Sequence, residues 1–283
     1  VSREAASVYD KDKAFENFRN RVESQKEIQS TSRRGFSLSA LWRYAAVVAI
    51  IIAVGCISYW QGEVNVKDTF ADISVEAPLG SKTKLYLPDG TLVWLNAGSR
   101  MTYSQGFGVD NRKVELEGEG YFEVKRNEKI PFFVKTKDLQ LQVLGTKFNV
   151  SAYENDVDVT TTLAEGSVEV ILPNERVRIS PDEQLVFNKE ENSCLLREVD
   201  ASIYSAWKNG LFIFEDQRLE QIMEQLKRWY EMDVFYSGEE VRNYRFSGDL
   251  KKYDSFEKIV KMLEEVAGVK IDIKGKCVTI GAK

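Results

Sequence analysis

Three hydrophobic patterns follow one another along the chain. The first has the period of a helix: Ala14, Phe15, Phe18 and Val22 share one face of a segment expected over about 13–25. Asp12 stands ready to cap it, and Lys13, Glu16, Arg19 and Glu23 occupy much of the remaining surface. A helix this short is marginal alone in water, so its apolar face needs a surface, either a protein partner or the membrane interface. The second pattern is a solid block, Tyr44 to Trp60, seventeen residues without a charge or a proline. As a helix it rises roughly 26 Å, and with Leu41 and Trp42 it approaches the thickness of a hydrocarbon slab. Tyr44, Tyr59 and Trp60 fall where aromatic rings favour the two interfaces. A buried core helix would show an amphipathic stripe, and none appears, so 41–60 is expected to cross a membrane. Ser30-Thr-Ser-Arg-Arg-Gly35 reads as a tether, making 1–40 a segment with its own helix.

The third pattern, over about 64–199, has a period of two. Lys82–Leu87 and Thr91–Asn96 flank Pro88-Asp89-Gly90, a strong hairpin signal. Val114-Glu-Leu-Glu, Tyr121-Phe-Glu-Val, Leu139-Gln-Leu-Gln-Val143, Ser167-Val-Glu-Val-Ile171 and Arg176-Val-Arg-Ile179 alternate in the same way between polar turns. About a dozen short strands imply an all-β domain. Residues 198–208 lose the period and are expected to be a connector. From 208 to 283 strands and helices mix. Leu211–Phe214, Met232–Tyr236 and Tyr244–Phe246 read as strands, and a closing hairpin turns at Lys274-Gly275. One helix carries Leu219, Ile222, Met223, Leu226 and Tyr230 inward, the other Phe256, Ile259, Val260 and Leu263. The order β-α-β-β-α-β-β describes a small two-layer α+β module. The fold class expected is therefore a single-pass membrane protein with an all-β domain followed by this module.

Charge orients it. Residues 1–43 hold nine Lys/Arg and six Asp/Glu, a net +3, which leaves −8 of the total −5 for the rest. Arg33, Arg34 and Arg43 precede the apolar block and Glu63, Asp68 and Asp72 follow it, so the N-terminus belongs in the cytoplasm. A signal peptide is the competing idea, but some forty polar residues precede the block. Opening at Val1 rather than methionine, the sequence is expected to continue a longer cytoplasmic region. The acidic exterior argues against direct binding of nucleic acid. Histidine is absent, which removes Ser–His–Asp and Cys–His catalysis and His-ligated zinc. Cys56, Cys194 and Cys277 have no metal spacing, and unpaired thiols are expected. Nothing calls for a cofactor.

Several motifs occur in fixed order: Ala77-Pro-Leu-Gly80, Leu87-Pro-Asp-Gly-Thr91, Leu95-Asn-Ala-Gly-Ser99 and Arg112-Lys-Val-Glu-Leu-Glu-Gly-Glu-Gly-Tyr-Phe122. Pro131-Phe-Phe-Val134, Val143-Leu-Gly-Thr-Lys-Phe-Asn-Val150 and Thr162-Leu-Ala-Glu-Gly-Ser-Val168 come after them. With these motifs behind one apolar block, residues 64–283 resemble the FecR family of membrane anti-sigma regulators. The last module resembles the secretin and TonB short N-terminal type of domain. The resemblance implies an inner-membrane protein with periplasmic C-terminal domains and no enzymatic role. Its cytoplasmic segment would hold an extracytoplasmic-function sigma factor, with Phe15, Phe18 and Val22 as candidate contacts. The periplasmic part would sense the signalling domain of a TonB-dependent outer-membrane receptor, and intramembrane and periplasmic proteases would then release the sigma factor.

The resemblance points to two further sites. Some relatives break their own chain at a Gly-Thr bond by an N-to-O acyl shift, which would place such chemistry at Gly145-Thr146. The plainer expectation is a bulge at Gly145 and an ordinary strand residue at Thr146. Edge strands of the last module are candidates for pairing with a receptor strand, with Phe212, Phe214, Tyr236, Tyr253, Val278 and Ile280 as contacts. The same apolar residues would equally serve as core. The alternative function is a membrane-tethered glycan-binding module using Trp94, Tyr103 and Phe107 as a stacking platform, although Trp94 is expected to face a core.

Overall fold

The computed structural model describes residues 11–28, 38–69, 72–109, 111–172, 175–251 and 256–283. The chain divides into two compact units, Val1–Val66 and Lys67–Lys283. The first contains helix α1 (Lys11–Ile28) and most of helix α2 (Leu38–Thr69). No glycine or proline interrupts α1, which outruns the expected 13–25 at both ends. Helix α2 also runs past Trp60: 61–69 holds no proline, and Gly62 lowers helix propensity without ending the helix. Its side chains from Tyr44 to Tyr59 are exposed. Among the described residues no helix is long and apolar enough to cross a membrane. The span expected over 41–60 thus corresponds to a long helix with an exposed apolar middle.

The second unit opens with a β-sandwich. Its strands are β1 (Ile73–Ala77), β2 (Thr83–Tyr86), β3 (Leu92–Leu95), β4 (Ser99–Tyr103), β5 (Lys113–Glu123), β6 (Phe132–Lys135) and β7 (Gln140–Val143). They continue with β8 (Lys147–Ala152), β9 (Asp158–Glu165), β10 (Val168–Ile171), β11 (Arg176–Ile179), β12 (Glu183–Asn188) and β13 (Ser193–Glu198). One sheet runs β1-β4-β5-β6-β7-β10-β11 and the other β2-β3-β5-β8-β9-β12-β13. Every pairing is antiparallel except β5 with β6. Strand β5 belongs to both sheets: Val114–Glu117 pair with β4, and Gly118–Glu123 pair with β8. The crossing point is Gly118, at φ 98°, where a Cβ would lie 2.7 Å from the Ser99 backbone. No other residue fits both demands.

Alternation along each strand sends Val93, Leu95, Val114, Leu116, Leu141 and Val150 into one shared core. Its centre is aromatic: Phe122 stacks on Phe148 at 5.2 Å and meets Phe132 of the opposite sheet edge-on at 6.1 Å. One buried ion pair pins the β2–β3 hairpin to this body. Arg112, 2 % exposed, donates from Nε to Asp89 Oδ2 (2.8 Å), from Nη1 to the Ile130 carbonyl (3.0 Å) and from Nη2 to the Lys125 carbonyl (2.6 Å). Asp89 also accepts from the Thr91 amide and hydroxyl, both at 2.8 Å. The turn at 88–90 is therefore a lock as well as a hairpin.

The expected connector over 198–208 is not aperiodic chain. It holds helix α3 (Ala201–Ser205), capped by the Asp200 carboxylate accepting from the Ser202 amide, and a 3₁₀ turn over Ala206–Asn209. Then come β14 (Leu211–Arg218), α4 (Leu219–Tyr230), β15 (Asp233–Tyr236), β16 (Arg245–Lys251), α5 (Phe256–Ala267), β17 (Val269–Lys274) and β18 (Cys277–Ala282). This is the expected β-α-β-β-α-β-β order. The strands form two small sheets, β14-β16 and β15-β18-β17. Leu219, Ile222, Met223 and Leu226 of α4 are buried with Ile259, Val260 and Leu263 of α5. On α4 the position after the stripe differs from expectation: Trp229 is buried, while Tyr230 is only partly covered. The three cysteines are free and exposed.

Candidate functional site

The sandwich and the α+β module meet across a junction that is both apolar and polar: Ala97, Tyr121 and Trp94 of the sandwich pack against the module's core, beside a buried hydrogen-bond network. Glu119, between the two glycines of β5, stands at its centre. Its carboxylate accepts from Asn96 Nδ2 at 2.6 Å and from Asn149 Nδ2 at 2.9 Å. Asn149 uses its remaining oxygen to accept from Trp207 Nε1 at 3.1 Å. The turn after α3 thus delivers one indole to a strand of the sandwich. Burial pushes the Glu119 carboxyl above its ordinary range, and the two amide donors and Arg228 only partly offset that.

A second grip involves α4. Arg228 lies over the Tyr153 ring at 3.8 Å and donates to both Asp156 oxygens, at 3.0 and 3.4 Å. Burial works against its charge, but Tyr153, Asp156 and Glu119 outweigh it and hold its pKa up. The Arg228 carbonyl accepts from the Gly80 amide at 2.9 Å. Tyr153 in turn donates to the Ala97 carbonyl at 2.9 Å. Lys208 Nζ sits 3.6 Å from the centre of the Tyr121 ring, and Lys82 Nζ donates to the Lys208 carbonyl. Desolvation lowers the pKa of both lysines and pushes the Tyr121 hydroxyl up to about 12.

This arrangement holds two bodies together; it offers no nucleophile paired with a base. Among the described residues no group of three His, Cys, Asp or Glu side chains is placed to hold a metal ion. A groove of about 570 Å³ on the first sheet is lined by charges already paired with each other, Lys135 with Glu115 and Lys137 with Glu154.

The candidate residues named from the sequence fall in several places. Phe15, Phe18 and Val22 are 70 %, 65 % and 40 % exposed on α1, a face with no cover among the described residues. Phe212, Phe214, Val278 and Ile280 are instead buried in the module's core, so they offer no surface for docking. Strand β18 is not an edge, since it lies between β15 and β17. Strand β14 pairs only with β16, but its aromatic residues point inward. Tyr236 is partly buried beneath the Arg242 guanidinium, 4.6 Å from its ring centre. Tyr253 lies outside the described residues.

Gly145 and Thr146 join β7 to β8. A Cβ on Gly145 would come within 2.6 Å of the Arg126 backbone, and the Thr146 hydroxyl donates to the Ser167 carbonyl at 3.0 Å. The register between β8 and β9 shifts at Lys147/Phe148, next to this pair. Trp94, Tyr103 and Phe107 form no shared platform. Phe107 is buried against Tyr103 and Phe132 in the sandwich, while Trp94 packs with the other core cluster. Trp94 packs, partly buried, against the module's core, while its neighbours Val93 and Leu95 face the sandwich interior; Lys82 and Lys84 lie over its ring.

The junction itself is not among the sites expected from the sequence, although its signals are present there. Asn149 stands between the apolar Phe148 and Val150, and Glu119 between two glycines. Asn96, Gly80 and Glu119 belong to three of the ordered motifs, and the structure brings these together.

Comparison with known proteins accounts for that order. Residues 73–169 match the family model described as FecR protein, and residues 211–280 match that described as FecR, C-terminal. No curated protein gives a significant match. Two crystal structures of a proposed anti-sigma factor from Parabacteroides distasonis ATCC 8503 are similar, each with a TM-score of 0.71 and 30 % identity. The alignments cover 75 % of this chain and 99 % and 100 % of those chains. With both family models matched in sequence and a solved relative spanned from end to end, the chain belongs to the FecR family.

Proposed function

We propose that the chain is an anti-sigma factor and transmembrane signal transducer. Its α1 segment holds an extracytoplasmic-function sigma factor in the cytoplasm, α2 crosses the inner membrane once, and the sandwich and module stand in the periplasm. The signalling domain of a TonB-dependent outer-membrane receptor engages the periplasmic part, and proteolysis then frees the sigma factor. The observation that carries this reading is the exposed apolar face of α1, Phe15, Phe18 and Val22, in a chain 30 % identical to a proposed anti-sigma factor. Such a face on a short helix needs a partner, and two phenylalanines are suitable anchors. The membrane role of α2 is supported by its uncharged block, by the arginines before it and by the acids after it.

Copurification tests it. The tagged full chain, extracted in detergent from its own host, is expected to bring down a sigma factor. The double substitution Phe15→Asp, Phe18→Asp is expected to lose it while the protein stays folded. Equal recovery of sigma factor with both proteins, or with neither, contradicts the assignment of α1.

A further inference from the structure

The junction does more than join two bodies, because one of its grips falls on the chain that leads from α2. Strand β1 opens at Ile73, shortly after α2 closes at Thr69. Among the described residues it is an edge strand that pairs with β4 alone. Of its five residues only Ala77 is buried, and its one described side-chain ion pair, Arg100 with Glu76, is more than half exposed on both sides. Such a pair contributes little. The corner at 77–83, just beyond β1, is held more firmly. The Ala77 carbonyl accepts from the Gly98 amide at 2.9 Å, and Gly80 donates across the junction to the Arg228 carbonyl. Gly80 has φ 73°, and a Cβ there would lie 3.4 Å from the Trp229 carbonyl oxygen. Lys82 reaches the Lys208 carbonyl. The Thr83 hydroxyl donates back to the Glu76 carbonyl at 3.1 Å, tying the corner to β1 itself.

We propose that the C-terminal module acts as a strap. Docked, it clamps the 77–83 corner through Arg228 and Lys208 and so keeps β1 zipped to β4. Undocked, it releases that corner, and β1 peels from the sheet edge, lengthening the connection between α2 and the sandwich. An event felt at the far end of the chain thereby reaches the segment next to α2 without any rearrangement of the sandwich core. Use of the strap in signalling rests on the transducer reading above; its existence does not.

Hydrogen exchange of the full chain in detergent micelles tests the strap. Asn149→Ala with Asp156→Ala removes the partners of Trp207 and Arg228, and the described hydrogen bonds of neither residue reach β1 or its corner. The readout is the exchange rate of β1 amides divided by that of β6 and β7, which lie away from the junction. The strap predicts that this ratio rises by about tenfold in the variant, because local opening needs only loss of the clamp. A ratio unchanged from wild type overturns it, whether both regions stay protected or both accelerate together. Asp156→Asn alone is expected to shift the ratio in the same direction by less. Capture of a sigma factor, measured on the same preparations, separates the two claims. A raised ratio without capture keeps the strap and removes the transducer reading, and capture with an unchanged ratio does the reverse.

Discussion

The sandwich interior and the junction with the C-terminal module use different chemistry, and the difference says which contact is built to last. Inside the sandwich, Phe122, Phe132 and Phe148 pack with aliphatic side chains from both sheets, and Arg112–Asp89 is buried with each guanidinium nitrogen hydrogen-bonded. At the junction, amides, a raised carboxyl, an arginine on a tyrosine ring and one indole N–H make the contact. Apolar burial inside the sandwich is lost only when that body comes apart, whereas a junction hydrogen bond that is made to water instead when the junction opens costs only about 0.5–1.5 kcal/mol net. The sandwich is thus expected to be the lasting body and the junction the contact that opens first.

Breaking the permanent side has the largest expected effect. Arg112→Ala leaves Asp89 charged and unpaired beside the core, which costs about 3–5 kcal/mol. Chemical denaturation of the whole chain reads this as a lower midpoint. A shift no greater than that of a surface substitution would remove the special status of this pair.

On the junction side, Trp207→Phe keeps a ring but leaves Asn149 Oδ1 without its donor. The expected loss is about 1–3 kcal/mol, and it falls on docking rather than on the sandwich. Two transitions in place of one, with the sandwich transition unmoved, is the expected denaturation profile.

A subtler probe is pH. Burial holds the folded pKa of Glu119 above the 4.5 of a free glutamate side chain. In the folded state it therefore holds its proton to a higher pH than in the unfolded chain. Between those two values stability falls as pH rises, and below both the favourable contribution is fully present. Arg228, Asp156 and Tyr153 surround it, and the exposed Glu154 and Asp200, whose pKa values are lowered by Lys137 and Ser202 respectively, act in the opposite sense. Glu119→Gln isolates the effect: stability measured from pH 7 downward is expected to rise less in the variant than in wild type. Parallel profiles would contradict it.

The smallest effect is expected where the chain is most exposed. Phe15→Ser on α1 is expected to change stability within about 0.5 kcal/mol while weakening partner capture. At Gly145-Thr146 the bulge reading predicts one full-length band on a denaturing gel, the same in Thr146→Ala. Two fragments in the wild type that vanish in the variant would instead identify an acyl shift.

Much of the architecture is legible in the sequence because period and turn chemistry agree. Pro88-Asp89-Gly90 marks the β2–β3 hairpin, and the stripe from Leu219 to Leu226 marks α4. The depth of individual residues is less legible. Phe212, Phe214, Val278 and Ile280 read equally as edge or core; the position of β18 between two strands decides for the last two, and burial of the β14 aromatics in the module's core for the first two. Trp94 is expected to meet a core, but alternation separates two faces without saying which core each meets; here both faces of β3 are covered, by different bodies. The junction escapes notice because its partners, Asn149 with Trp207 and Asp156 with Arg228, are 58 and 72 residues apart and share no local pattern.

The division between permanent body and opening junction is tested most directly at one amide. Gly80 donates across the junction to the Arg228 carbonyl, while Phe133 donates to the Arg112 carbonyl inside the sandwich. Native-state hydrogen exchange of the full wild-type chain, resolved to single residues in dilute denaturant, compares the two. Gly80 is expected to open at a lower free energy than Phe133, with little dependence on denaturant. Equal opening free energies with equal denaturant dependence would contradict that division.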